Sequence, residues 1–130
     1  MTTLFIIDER ESVRNALAQR LSRVPGIHVV GSAGTSLDGV RLIGVTQPDV
    51  VLIDPKLADG GGLDALRRIR TENPFVRVIV LTSYLDDFER QVALKLGAER
   101  YLLKNIDSQG LAEVILSHDS LPPKEQRDSV

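Results

Sequence analysis

The stretch Val50-Val51-Leu52-Ile53-Asp54-Pro55-Lys56 runs four apolar residues without a break into one acid and then a proline. Bounded by Pro48 and Pro55 and rich in β-branched side chains, it reads as a short strand covered on both faces, the habit of a parallel sheet. Pro55 biases Asp54 away from helical dihedrals, so the carboxylate stands at the strand's C-terminal mouth. In open parallel sheets, ligands bind in the crevice outside those ends.

Upstream, Leu4-Phe5-Ile6-Ile7 is a second such run and leads straight into Asp8-Glu9-Arg10-Glu11. Val13, Leu17, Leu21 and Val24 then recur at helical spacing until Pro25-Gly26 stops the helix. Residues 27–33 return to strand, and His28 among their apolar positions predicts an edge. Leu37, Val40 and Ile43 predict a weaker helix, because Gly39 and Gly44 each cost about 1 kcal/mol relative to alanine.

Downstream, Asp59-Gly60-Gly61-Gly62 reads as a loop opening a helix on Leu63, Leu66 and Ile69 that ends near Asn73-Pro74. The triple glycine is not a phosphate-cradling loop, since no Gly-Lys-Ser/Thr follows it. Arg67, Arg68 and Arg70, with Asp64 and Glu72 nearby, read as a solvated helix face. Residues 76–81 predict a fourth strand ending at Thr82-Ser83. Phe88, Val92 and Leu96 mark a helix closed by Gly97, and Tyr101-Leu102-Leu103 a fifth strand ending at Lys104-Asn105. Leu111, Val114 and Ile115 predict the inward side of a last helix that fades by Asp119. Residues 1–119 thus form one domain, and residues 120–130, with Leu121-Pro122-Pro123, read as a disordered linker or tail.

A chain of 130 residues with 42% hydrophobic residues supports a single core. With no cysteine there is no disulfide framework, thiolate zinc site or cysteine nucleophile. A formal net charge of -2 supplies no electrostatic footprint for nucleic acid or an anionic membrane. The N-terminal apolar run lacks a basic flank and is too short for a signal peptide or membrane span, which points to a cytoplasmic protein.

Five alternations of strand and helix with short connections imply right-handed crossovers and a parallel sheet between two helical layers. With strand order 2-1-3-4-5, the first and third strands adjoin where the order reverses, placing Asp8, Glu9 and Asp54 in one crevice. Like carboxylates about 4 Å apart repel by about 4 kcal/mol at an effective dielectric near 20, so a cation is expected among them. Mg²⁺ suits the site, because it takes oxygen ligands and commonly uses one or two carboxylates plus a phosphate. Lys104, leaving the last strand, can supply a fixed positive charge there, and Thr82 a hydroxyl. Together these groups describe phosphoryl transfer with Asp54 as the nucleophile.

The same residues resemble the receiver domain of bacterial two-component response regulators, from about Leu4 to His118. Asp8-Glu9 matches that family's acidic pair, Asp54 its phosphoacceptor, Thr82 its switch hydroxyl, Lys104 its lysine and Tyr101 its aromatic switch position. The wording Gln47-Pro48-Asp49-Val50-Val51-Leu52-Ile53-Asp54, Val76-Arg77-Val78-Ile79-Val80-Leu81-Thr82 and Gly97-Ala98-Glu99-Arg100-Tyr101-Leu102-Leu103-Lys104 is most similar to receivers that precede a LuxR/NarL-type helix-turn-helix. The resemblance implies a flavodoxin-like (βα)5 fold and a metal site of Asp8, Glu9, Asp54 and the backbone carbonyl of Lys56, holding Mg²⁺. It implies a sensor histidine kinase or small-molecule phosphodonor as partner, homodimerisation through helix faces, and DNA contact only through an output domain outside residues 1–130. The output surface would be the fourth helix, fifth strand and fifth helix.

Glu9 stands where the family usually has aspartate, and Pro55 is unusual after the acceptor. These two departures motivate an alternative, a phosphorylation-independent interaction module with a degenerate metal pocket. An enzyme is not expected: aspartate-nucleophile phosphatases need a second acid two residues on, where this chain has Lys56. A flavin phosphate would meet Asp8, Glu9 and Glu11 at the first turn. His28 and His118 have no metal-ligand partner in the sequence.

Overall fold

The computed structural model describes residues 1–57 and 59–117. Strands and helices alternate throughout: β1 (Thr2–Ile7), α1 (Glu11–Ser22), β2 (Ile27–Ala33), α2 (Ser36–Thr46), β3 (Val50–Ile53), α3 (Gly62–Glu72), β4 (Arg77–Thr82), α4 (Asp87–Lys95), β5 (Arg100–Leu103) and α5 (Ser108–Leu116). All strand pairs are parallel and the sheet order is β2-β1-β3-β4-β5, the flavodoxin-like arrangement expected.

The unbroken apolar strands follow from burial on both faces. Val51 and Ile53 join Phe5, Ile7, Val78 and Val80 beneath α2, α3 and α4, where Val40, Ile43, Leu66, Ile69 and Ala93 are buried. Val50 and Leu52 join Leu4, Ile6, Ile79 and Leu81 beneath α1 and α5, against Leu17, Leu21, Leu111 and Ile115. Each fully buried Leu or Ile stabilises the fold by roughly 1.5–3 kcal/mol, so alternate residues of one strand support two separate cores.

Several expected faces are shifted. Leu37 is 71% exposed and Phe88 76% exposed. In α2 the buried stripe is Gly39, Val40 and Ile43, and the missing side chain at Gly39 is what lets the helix reach the sheet: a Cβ there would lie 2.5 Å from Ile7 Cδ1. In α4 the small Ala93 is the fully buried residue, with Val92 and Leu96 half-buried beside it. Val24 lies past the end of α1 but still packs on the core. Arg70 is not part of a solvated face, since its Nη1 donates to the carbonyls of Pro74 and Val76 at 3.0 and 2.5 Å. Arg67 and Arg68 form the expected exposed pairs with Asp64 and Glu72. The expected fading of the last helix at Asp119, His118, and the linker or tail at 120–130 lie outside the described residues.

One clamp ties the lower ends of three elements. Arg77 holds the Glu99 carboxylate through Nε and Nη2 at 2.9 and 2.7 Å, and its Nη1 and Nη2 donate to the Ile115 and Val114 carbonyls at 2.8 and 3.0 Å. These bonds add acceptor partners in the last turn of α5, where carbonyls lack the helix's own N–H donors; Val114 O also accepts from Ser117. Arg77→Ala is expected to lower stability by about 2–3 kcal/mol, read as a shifted urea midpoint at unchanged slope. The loss stays below the 3–5 kcal/mol of a fully buried pair because the two side chains are 14% and 19% exposed.

Candidate functional site

Backbone hydrogen bonds carry the ladder one residue past the strand ends: Asp8 N to Ala33 O (3.1 Å), Asp54 N to Ile7 O (3.0 Å) and Lys104 N to Thr82 O (2.8 Å). Asp8, Asp54 and Lys104 therefore leave β1, β3 and β5 at the C-terminal end of the sheet. Their parity follows Ile6, Leu52 and Leu102 towards the α1/α5 side, so the side chains meet. Lys104 Nζ donates to Asp8 Oδ2 at 2.5 Å and to Asp54 Oδ2 at 2.6 Å. The second oxygens are fixed as well, Asp8 Oδ1 by the Arg10 N–H (3.0 Å) and Asp54 Oδ1 by the Lys56 N–H (2.8 Å).

Both acids are buried, at 2% and 9% exposure. Burial alone lowers the Lys104 pKa, but the hydrogen bonds and charges of Asp54 and Asp8 more than offset it, holding the ammonium above its ordinary value. The trio carries two negative charges and one positive, a net -1. Each carboxylate offers about four lone-pair sites, of which one hydrogen bond to each oxygen uses two. Spare hard oxygen donors and residual negative charge fit a divalent cation such as Mg²⁺, which needs only one or two carboxylates.

Glu9 does not complete a three-acid cluster. Its side chain is exposed, and among the described residues no group of three acidic or histidine side chains is placed to hold a metal. The structure thus brings together two of the three carboxylates expected in the crevice. The Glu9 carbonyl, with that of Asp8, instead accepts from Arg14 Nη1 at 3.2 and 2.8 Å.

Thr82 and Tyr101 point to the other side of the sheet, towards α4. The Thr82 hydroxyl, 1% exposed, donates to Tyr84 O at 3.0 Å. Tyr101 is buried, and its hydroxyl donates to Glu89 Oε1 at 2.6 Å while accepting from the Asp86 N–H at 3.2 Å. Glu89 also lies 3.5 Å from Thr82 Oγ1 and 3.8 Å from Lys56 Nζ. The Lys56 ammonium sits 4.2 Å above the Tyr84 ring.

Glu89 is the site residue that sequence reasoning missed. Its signal was the spacing Asp86-x-x-Glu89, a capping-box pattern at the start of α4. Asp86 does cap the helix, accepting from Glu89 N at 2.8 Å, but the Tyr101 hydroxyl occupies the place where the Glu89 carboxylate would reach back to Asp86 N–H.

Burial pushes the Tyr101 phenol up to about 12, reinforced by Glu89 and opposed by the Asp86 N–H. An unfolded tyrosine ionises near pH 10, so Tyr101 contributes stability below that pH that is lost as pH rises towards 12. Lys104 acts in the same sense. Tyr101→Phe is expected to flatten the alkaline fall in stability, and in a Tyr84→Phe background tyrosinate absorbance should appear only near pH 12.

Residues 4–116 match the response regulator receiver domain family. The chain is 33% identical over 115 residues to the DNA-binding transcriptional activator DevR/DosR of Mycobacterium tuberculosis, covering 88% of this chain and 53% of that protein. It is 36% identical over 124 residues to the transcriptional regulatory protein LiaR of Bacillus subtilis, covering 95% and 59%. The chain spans little more than half the length of these relatives. A crystal structure of a LuxR-family two-component response regulator from Aurantimonas sp. SI85-9A1 superposes with a TM-score of 0.85 at 26% identity, covering 98% of this chain and 94% of that one. No helix among the described residues is long and apolar enough to cross a membrane.

Proposed function

The chain belongs to the response regulator receiver domain family, and from that premise we propose that Asp54 accepts a phosphoryl group and that the resulting charge drives a switch read through Thr82 and Tyr101. The observation that carries this reading is the shared ammonium: Lys104 bridges Asp8 and Asp54 in a buried pocket at the strand ends.

In the transfer, an Asp54 oxygen attacks phosphorus, the bond from phosphorus to the donor's leaving group breaks, and an acyl phosphate remains on Asp54. The donor is a phosphohistidine on a sensor kinase or a small acyl phosphate. Lys104 orients the carboxylate and offers its ammonium to the transferred oxygens. Asp8, Asp54 and the backbone carbonyl of Lys56 would hold Mg²⁺, with Glu9 contributing from the rim. When bound, the ion neutralises developing charge on the phosphoryl oxygens.

The acyl phosphate carries roughly -1.5 to -2 charges where the carboxylate carried -1, and strong acceptor oxygens, towards which the Thr82 hydroxyl can turn from Tyr84 O. Because Thr82 adjoins the Glu89 and Tyr101 pair, that turn alters the packing of α4 and β5, which with α5 form the proposed output face. Transcriptional control would act through a DNA-binding output domain, with dimerisation through helix faces.

The exposure of Glu9 favours a second reading, an interaction module that keeps the fold without being phosphorylated. Incubation with acetyl phosphate and Mg²⁺, followed by intact mass, separates the two. The phosphoacceptor reading predicts one added phosphoryl group per chain. A folded chain that gains none leaves the interaction module.

A further inference from the structure

Glu89 is an acid that the transfer chemistry does not use, yet it touches each of the other groups on the α4 side of the site. Its Oε1 accepts from Tyr101 and lies 3.5 Å from the Thr82 hydroxyl, and its Oε2 lies 3.8 Å from the Lys56 ammonium. Thr82 and Lys56 are the two groups on this side that could approach a phosphoryl group on Asp54: one carries a hydroxyl proton, the other a positive charge two residues after the acceptor. Glu89 is only 13% exposed at its side chain, so its charge is weakly screened compared with a surface acid.

We propose that Glu89 is a positioning residue that gates phosphorylation: its carboxylate holds Lys56 and Tyr101 in the unphosphorylated arrangement and opposes, by charge, the arrival of the phosphoryl group on Asp54. The inference rests on Asp54 being the phosphoacceptor. Donor and product are both anionic, so each meets Glu89 as a like charge across the site. Once the acyl phosphate forms, its oxygens compete with Glu89 for Lys56 and Thr82.

The capping geometry gives the displaced carboxylate somewhere to go. Asp86 and Glu89 have the spacing of a capping box that Tyr101 now interrupts, its hydroxyl accepting from Asp86 N–H and donating to Glu89. If Tyr101 leaves, Glu89 can close on Asp86 N–H directly. The first turn of α4 thus has two satisfied arrangements, one with the phenol inserted and one without. A two-state element of this kind can be biased by a local change of charge.

The test is the rate of phosphoryl uptake from acetyl phosphate with Mg²⁺, followed by intact mass, in the whole chain and in Glu89→Gln and Glu89→Asp. Gln keeps the length of the side chain and an acceptor for Tyr101 but removes the charge; Asp keeps the charge. Glu89→Gln should be labelled about threefold faster or more, the effect of removing one unit charge beside Lys56 and Thr82. The advantage should shrink in 1 M salt, where the Debye length is about 3 Å, a response that a purely structural role would not produce. Glu89→Asp should stay near the wild-type rate. Wild type labelled on Asp54 with Glu89→Gln equal or slower would overturn the gate, whereas wild type that takes no label overturns the phosphoacceptor reading beneath it.

Discussion

Asp54→Asn is expected to take up no phosphoryl group under conditions that label the wild type fully. The amide preserves the shape of the side chain, but its single oxygen can replace only one of the two acceptors, that for Lys56 N–H or that for Lys104, since its NH2 donates. What it lacks is the anionic oxygen that attacks phosphorus. The substitution takes the Asp8, Asp54 and Lys104 trio from a net charge of -1 to 0 and leaves Lys104 paired with Asp8, so the variant should remain folded, as its melting curve checks. Unchanged folding with no adduct assigns the loss to chemistry. An adduct retained on the variant would mean that the label resides elsewhere.

Gly62→Ala should produce the largest loss of stability. A Cβ at Gly62 would lie 2.1 Å from the Pro55 carbonyl oxygen, 2.4 Å from its carbon and 2.8 Å from its Cα. All three obstacles are backbone, so no rotamer change relieves them, and the start of α3 must move away from the loop that follows Asp54. Overpacking of this kind costs about 3 kcal/mol or more, at or beyond the upper end of its usual range. Because Pro55 connects Asp54 to Lys56, the displacement reaches the phosphoacceptor too, and labelling should slow by about tenfold or more. Gly44→Ala is the contrasting control: it lies in α2 with nothing within 4 Å of the added Cβ and should gain about 1 kcal/mol from helix propensity alone. Denaturant midpoints moving in opposite directions for these two glycines would establish that close contact, not glycine content, decides their effects.

The architecture was legible because its signals are local and repeated. Val50 to Ile53 and Leu4 to Ile7 announce strands buried on both faces, and each ends in the acid that reaches the pocket. Asp8, Asp54 and Lys104 could be placed together from strand order alone, since a parallel sheet puts every strand end on one edge. Burial within the helices was harder to read. Leu37 and Phe88 fit an apolar spacing but face solvent, because Gly39 and Ala93 let the backbone approach the sheet where a large side chain could not. Arg70 resembles its charged neighbours in sequence, and only the turn after α3 supplies the carbonyls that bind it.

Glu9 and Glu89 show the same limit inside the site. An acidic pair in sequence suggests two equivalent acids, but Asp8 is buried against Lys104 while the Glu9 side chain is exposed. Glu89 is ordinary in its own helix and matters because Tyr101, on a different strand, enters the cap of that helix. The requirement at Gly62 likewise comes from Pro55, across a loop, and not from the turn that three glycines suggest.

The central claim is that the carboxylate shared with Lys104 becomes an acyl phosphate, and its most direct test is chemical mapping of the labelled residue. Wild-type chain treated with acetyl phosphate and Mg²⁺ is reduced with borohydride, which converts an aspartyl phosphate to homoserine and leaves free carboxylates intact, and is then digested and sequenced by mass. The account predicts homoserine at position 54 and at no other position. Homoserine at another aspartate, or a phosphoryl group that survives reduction on a hydroxyl residue, would contradict it.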